Sequence, residues 1–254
     1  MNKELALRWI LVAAIIAVSF GGVAFGAYLL FWLASTLVER VFALLFLLLV
    51  MLNTVFNLGG CYYYIASFGL DRFEKKSIPK VLPNVTVVIP ARNEDEEMLK
   101  HNLGTYLQLD YPKNKHKIYL LDNSDKPSTN LESACGRLGI IYKFMENPAR
   151  LKSYVLNKFL EDVSDEHIAI FDADEYLTDP AFLKDCIAAM DEKTGFVQTI
   201  KEFAPKNIFA DAINAYYMFF YRFIQPVRNL SRTPIFSGSC GVVRRSIVKA
   251  VGGF

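Results

Sequence analysis

The stretch "VTVVIPARNEDEEMLKHNL", Val85–Leu103, changes the periodicity of the chain and decides its fold class. Val85 to Ile89 is a β-branched run ended by Pro90, the mark of a strand buried on both faces. An acidic and then amphipathic segment follows, which predicts a helix. Asn93 with Glu96 three positions later resembles a capping box, and acids in the first turn suit the positive end of a helix. The alternation continues downstream. "HKIYLLD" (His116–Asp122) reads as a second strand, "STNLESACGRLG" as a helix stopped at Gly139, and "IIYKF" as a third strand. "ARLKSYVLNKFLEDV", from Ala149, reads as an amphipathic helix and "HIAIFD" (His167–Asp172) as a fourth strand. Short connections predict an α/β architecture, Rossmann-like, with an open, mainly parallel sheet and helices on both faces. Ligands of such sheets bind outside the carboxyl ends of the strands, so Pro90, Asp122 and Asp172 should converge on one crevice.

After Asp172 the pattern predicts a helix from Pro180 to Met190, a strand "GFVQTI", and an aromatic-rich helix from about Asn207 to Ile224. That last helix is expected to bury itself against the sheet, the alternatives being the membrane interface or an acceptor channel. Arg222, Arg228, Arg232, Arg244 and Arg245 read as basic surface, with phosphate contacts as the alternative.

The part before Val85 is of another kind. No charged residue occurs from Trp9 to Val38 or from Val41 to Leu70, thirty positions each, whereas about twenty helical residues cross a hydrocarbon core. A transmembrane hairpin over residues 1–70 is expected, with helices over about 9–36 and 41–68 and a tight turn at Glu39 and Arg40. Gly21, Gly22 and Gly26 in the first span either let the helices approach closely or are merely tolerated in lipid. Lys3 and Arg8 precede the spans and Arg72, Lys75, Lys76 and Lys80 follow them, so the positive-inside rule predicts a multi-pass plasma-membrane protein whose soluble part is cytoplasmic. Residues 71–84, basic and carrying Pro79 and Pro83, read as a juxtamembrane linker. The whole chain of 254 residues is 53% hydrophobic with a formal net charge of +2, which excludes disorder and gives no signal for nucleic acid. Its four cysteines are scattered singly, as suits reduced thiols rather than disulfides or a zinc site. His101, His116 and His167 have no metal spacing.

Within "IAIFDADEYLTDP" (Ile168–Pro180) four carboxylates crowd the end of the fourth strand. Asp172 and Asp174, two apart where the chain turns, can both face a ligand and are hard oxygen donors suited to Mg²⁺ or Mn²⁺ shared with a substrate's phosphates. Glu175 has no assigned role, and Asp179 before Pro180 reads as a helix cap.

"VVIPARNE" (87–94), "LLDNSD" (120–125), "LKSYVLNKFL" (151–160), "FDADEYL" (171–177), "FVQT" (196–199) and "FSGSCGVVRRSIVKAVGGF" (236–254) together resemble family 2 glycosyltransferases of the GT-A fold. The resemblance covers about residues 85–254 and is especially to the membrane-embedded branch that includes cellulose, hyaluronan, chitin and poly-N-acetylglucosamine synthases. It implies an inverting transfer from a nucleotide sugar, with UDP expected, to a saccharide or lipid-linked acceptor with Mg²⁺ or Mn²⁺, oligomers or partner subunits being possible. Residue by residue it implies that Pro90, Ala91, Arg92 and Glu94 cradle the base and ribose and that Asp122 contacts the uracil. Lys152 would sit by the diphosphate, Asp172 by the ribose or metal, and Asp174 on the metal. Gln198 and Thr199, with Phe236, Ser237, Gly238, Ser239 and Cys240, would line the donor sugar and the acceptor end.

Two departures stand out. Asn123 follows Asp122 where the family often has a second acid, and the chain stops at "VGGF". The "TED"-like acid that serves relatives as general base, and the "QxxRW" motif, come after that point, so no catalytic base is expected up to Phe254 and the soluble part reads as incomplete. The alternatives are a non-catalytic membrane subunit with a glycosyltransferase-like fold and a different nucleotide-binding α/β enzyme.

Overall fold

The computed structural model describes residues 3–68, 70, 77–146, 150–204 and 207–254. Two compact units are present: residues 1–70 with 222–233, and residues 71–221 with 234–254. The expected linker residues 71–76, with Arg72, Lys75 and Lys76, and the expected helix start at Ala149 lie outside the described residues.

The first unit holds α1 (Lys3–Tyr28), extended by a π-turn over Leu29–Leu33, and α2 (Leu37–Ala66). Both are long and apolar enough to cross a membrane. Their large side chains stay outside, with Phe31, Trp32 and Leu37 each at least 75% exposed. Gly22 and Gly26 face α2: a Cβ on Gly22 would lie 3.0 Å from Val50, and one on Gly26 3.2 Å from Leu47, whereas Gly21 faces open space. Polar side chains tie the pair, Thr54 Oγ1 donating to the Ser19 carbonyl (3.3 Å) and Asn57 Nδ2 to Ser19 Oγ (3.0 Å). The turn falls earlier than expected, over residues 34–36. Thr36 caps α2 by accepting from the Glu39 amide (3.2 Å) while Glu39 Oε2 accepts from the Thr36 amide (2.9 Å). This reciprocal capping box draws Glu39 and Arg40 into the first turn of α2, so the charges that marked the turn belong to the helix. Residues 222–233 carry the short α8 (Gln225–Leu230), and Phe223 packs on Tyr64 with ring centroids 5.0 Å apart.

The second unit is built on β1 (Val85–Ala91), all of whose residues are buried. It pairs in parallel with β2 (His116–Asp122) on one edge and β4 (His167–Ile170) on the other. β3 (Ile141–Phe144) extends the sheet beyond β2, while β6 (Gly241–Arg244) runs antiparallel between β4 and β5 (Phe196–Gln198), giving the order β3-β2-β1-β4-β6-β5. Side-chain alternation feeds two cores. Val85, Val87 and Ile89 face α3 (Glu96–Thr105), α4 (Thr129–Leu138) and α6 (Phe182–Ala189), and Val88 faces α5 (Lys152–Asp162) and α9 (Arg245–Ala250).

Three local expectations are revised. The cap of α3 is Asp95, whose Oδ1 accepts from the Met98 amide (2.7 Å). Asn93 instead adopts φ 52° and turns the chain, a conformation that Asn tolerates. Asp179 accepts from the Ala181 amide (2.9 Å), capping the turn before α6 rather than α6 itself. Finally α7 (Ile208–Phe219) has no buried residue, and Ile208 and Phe209 are almost 80% exposed. The expected burial of this helix against the sheet is therefore overturned, because α3, α4 and α6 already cover one face and α5 and α9 the other.

Gly241 opens β6 where space is smallest: a Cβ there would meet the Val197 carbonyl at 2.5 Å and the Phe236 ring at 2.8 Å. Gly241→Ala is expected to destabilise this unit by about 1–3 kcal/mol, the usual cost of overpacking, read as a lower midpoint in urea unfolding.

Candidate functional site

The carboxyl ends of β1, β2 and β4 and the loop before β6 meet, as the topology of a parallel sheet requires. The loops after β1 and β2 are zipped together. Asn93 donates its amide to Ser124 Oγ (2.8 Å), Asp125 donates its amide to Asn93 Oδ1 (3.3 Å), and Arg92 pairs with Asp125 at 3.4 Å. Pro90 and Ala91 lie in β1 itself, aligned with Leu121 and Asp122.

Asp122 is fully buried and both of its oxygens are engaged. Oδ1 accepts from the Ser124 amide (3.0 Å) in an Asx-type turn, and Oδ2 accepts from the Tyr142 hydroxyl (2.5 Å), which in turn accepts from the Ser128 amide (3.0 Å). The carboxylate thus shapes the loop after β2 from inside.

The Asp172–Glu175 turn is held from two sides. From α3 and the residue after it, Asn102 Nδ2 donates to the Ala173 carbonyl (3.0 Å), Thr105 Oγ1 accepts from the Leu177 amide (2.9 Å), and the buried Tyr106 donates its hydroxyl to the Glu175 carbonyl (2.9 Å). Within the turn Glu175 Oε2 accepts from the Asp172 amide (2.7 Å). From the opposite side come two lysines and a serine. Lys152, the first residue of α5, donates to Asp172 Oδ1 and to the Gly238 carbonyl (3.1 Å). The fully buried Ser239 hydroxyl lies 2.7 Å from both Asp172 Oδ2 and Glu175 Oε1. Lys201 donates to Ser239 Oγ, pairs with Glu175 Oε1 at 3.0 Å and stands 3.9 Å from Asp172 Oδ2.

Four of the expected residues, Lys152, Asp172, Gly238 and Ser239, are thereby brought into direct contact. Asp174 is exposed and takes no hydrogen bond from a described residue. Gln198 turns its polar atoms inward instead. Its amide donates to the carbonyls of Thr199, Ser239 and Cys240 and accepts from the Ser237 amide (2.8 Å), stapling the loop before β6. Thr199 Oγ1 donates to the Cys240 carbonyl (2.6 Å) in the same staple, and Phe236 packs on Phe196. Gly238 at φ 92° turns its carbonyl to Lys152, and Cys240 at φ 50° is a non-glycine residue held in the left-handed region, strain that the staple sustains.

Sequence reasoning missed Lys201, Tyr106, Asn102 and Tyr142, and left Glu175 without a role. For α3 a signal existed, since Asn102, Thr105 and Tyr106 share one face at helical spacing with the buried Leu99 and Leu103. Lys201, two residues after Thr199 in an extended segment, carries no local sign of its partners.

Burial pushes the Asp172 carboxyl up, but hydrogen bonds from Lys152 and Ser239 and the charges of Lys152 and Lys201 outweigh it and hold the group below its ordinary 3.8. Burial pulls Lys201 down, and the Glu175 carboxylate outweighs it, keeping the ammonium above its ordinary 10.5. Burial, and then the Glu175 charge, push the Cys240 thiol up, so it is not a nucleophile at neutral pH. Desolvation, then the charges of Asp174 and Asp172, raise the Glu94 carboxyl above 4.5, which marks a shared negative field at the mouth of the site. Since the folded value of Asp172 is lowered, its stabilisation is present above pH 3.8 and is lost as pH falls through that lowered value. The raised Lys201 contributes below pH 10.5 and is lost as pH rises through its folded value. Melting temperatures across pH should fall at both extremes, and Asp172→Asn is expected to flatten the acid limb alone.

The profile described as glycosyl transferase family 2 matches residues 86–252. The chain is 28% identical over 186 residues, 70% of its length, to the cellulose synthase catalytic subunit [UDP-forming] of Pseudomonas fluorescens (strain SBW25). It is 29% identical over 205 residues, 76% of its length, to cellulose synthase 2 of Novacetimonas hansenii. It spans 25% and 12% of these curated relatives, a quarter of their length or less. Among solved structures, a mannosyltransferase from Pyrobaculum calidifontis in complex with GDP-Man and Mn²⁺ shares the fold. The likeness covers 97% of this chain and 59% of that one at 19% identity, with a TM-score of 0.59. A profile match over most of the chain, on a GT-A sheet with a charged cluster at its carboxyl ends, establishes that the chain belongs to glycosyltransferase family 2.

Proposed function

We propose that the chain is a membrane-anchored, inverting glycosyltransferase that takes a sugar from a nucleotide donor, with UDP the favoured nucleotide, and passes it to a saccharide or lipid-linked acceptor. The observation that carries this reading is the Lys152–Asp172–Ser239 cluster at the carboxyl ends of the strands, beside an Asp174 with no described hydrogen-bond donor.

Among the described residues no group of three or more His, Cys, Asp or Glu is arranged to hold a metal unaided. Asp174, exposed and taking no hydrogen bond from a described residue, with Asp172 two residues before it, would offer hard oxygens to a divalent ion completed by phosphate oxygens. Such an ion, Mg²⁺ or Mn²⁺, would neutralise charge developing on the leaving diphosphate. The chain's own residues then divide the work. Lys152 exchanges its bond to Asp172 for the diphosphate and stabilises the leaving group. The end of β1 at Pro90 and Ala91 and the zipped loops of Arg92–Glu94 and Ser124–Asp125 offer a rigid edge to the base and ribose. The stapled loop of Phe236–Cys240, fixed by Gln198 and Thr199, borders the sugar and the acceptor end. None of the described carboxylates is assigned the acceptor proton.

Membrane anchoring rests on the two apolar helices with outward-facing aromatics, and the cytoplasmic side on the basic flanks. Protease should cut the chain beyond residue 80 in inverted vesicles and spare it in right-side-out vesicles. The reverse pattern would overturn the orientation.

In a thermal melt of the detergent-solubilised chain, UDP with Mn²⁺ should raise the midpoint more than GDP with Mn²⁺. Asp174→Ala should remove the metal-dependent part of the rise and keep the part due to nucleotide alone. A wild type whose melt ignores both nucleotide and metal would refute the donor reading.

A further inference from the structure

Lys201 lies outside every motif that carried the family resemblance, yet it is the most deeply set cation of the cluster. Lys201 and Glu175 have side chains only 17% exposed, against 37% for both Lys152 and Asp172. Its ammonium touches three groups drawn from two elements: Glu175 Oε1, Ser239 Oγ and, at 3.9 Å, Asp172 Oδ2. The charges within the cluster balance. Asp172 and Glu175 are met by Lys152 and Lys201, which leaves Asp174 and Glu94 as carboxylates at the mouth with no ion pair among the described residues. Without Lys201, Glu175 would be a largely buried anion lacking its cation, close to where a negative diphosphate has to enter. Ser239 would also lose the donor that fixes its hydroxyl between the two carboxylates.

We infer that Lys201 is a positioning residue of the donor site: it fixes Ser239 and Glu175, and through them holds Asp172 in place when Lys152 leaves it for the diphosphate. The inference rests on the nucleotide-sugar reading above. It deepens that reading by making the extended segment after β5 a working part of the site. When Lys152 moves, Asp172 retains Ser239 and Lys201 on its Oδ2 side, so the Asp172–Glu175 turn does not have to rearrange. Preorganisation of this kind lowers the cost of binding an anionic ligand.

Isothermal titration of UDP in the presence of Mn²⁺ into the full chain in nanodiscs tests this, with wild type, Lys201→Met, Lys201→Arg and the double variant Glu175→Gln/Lys201→Met. Lys201→Met should weaken binding by about tenfold or more, and Lys201→Arg, which keeps the donors, by about threefold at most. Should Lys201→Met fold poorly because Glu175 is stranded, the double variant removes that charge. It is expected to melt like the wild type and still bind as weakly as Lys201→Met, since the tie to Ser239 is gone. Wild-type affinity in a well-folded double variant would reduce Lys201 to a charge partner of Glu175 and overturn the positioning role while the donor reading stands. Failure of the wild type to bind UDP with Mn²⁺ would overturn the donor reading and this inference with it.

Discussion

Seven consecutive buried residues, Val85–Ala91, leave β1 no face to offer to water, so its amides and carbonyls must be met by neighbouring strands on both edges. β2 and β4 meet that demand in parallel register, Val85 aligning with His116 on one side and His167 on the other. Parallel pairing needs crossovers, and the helices that make them bury their apolar stripes on the two faces. Everything chemical in the second unit follows from this arrangement. With β1, β2 and β4 pointing one way, the polar residues that end them arrive at the same rim whatever their separation in sequence.

The rim would be a set of mobile loops if nothing else held it. What holds it is a ring of hydrogen bonds to backbone: Asn102, Thr105 and Tyr106 on the 173–177 segment, Asp122 and Tyr142 on the loop after β2, and Gln198 and Thr199 on the loop before β6. The buried members of this ring, Asn102, Tyr106 and Asp122, resist rearrangement, because moving any one of them strands a polar atom away from water. The charged groups set on this frame, Lys152, Asp172, Glu175 and Lys201, neutralise one another around Ser239 and leave Asp174 outward.

The first unit obeys a different constraint. Its helices pack through small and polar groups, Gly22, Gly26, Ser19, Thr54 and Asn57, and leave their large apolar side chains outside. That is the inverse of a helix pair in a soluble core, and it is the pattern expected where helices associate without a hydrophobic drive between them.

The strand–helix order as far as β5, the mainly parallel sheet and the approximate helix limits are readable along the chain, since each is written in local periodicity, β-branching and turn chemistry, whereas β6 with its antiparallel pairing to β4 and β5, and the short α8 and α9, are not. Gly139 stops α4 as expected, and the sequence singles out Lys152 and Asp172 without showing that they touch. Local patterns fail wherever two residues compete for one role. Asp95 displaces Asn93 as the cap of α3, and the Thr36–Glu39 box moves the hairpin turn back to residues 34–36. Tertiary structure alone decides that α7 stays uncovered, that Gln198 and Asp122 spend their polar atoms inside the protein, and that Lys201 reaches Glu175 and Ser239. The reason is range: periodicity reports a residue's neighbours along its own element, whereas a hydrogen bond between Lys201 and Ser239, 38 positions apart, exists only once β5 and β6 have paired.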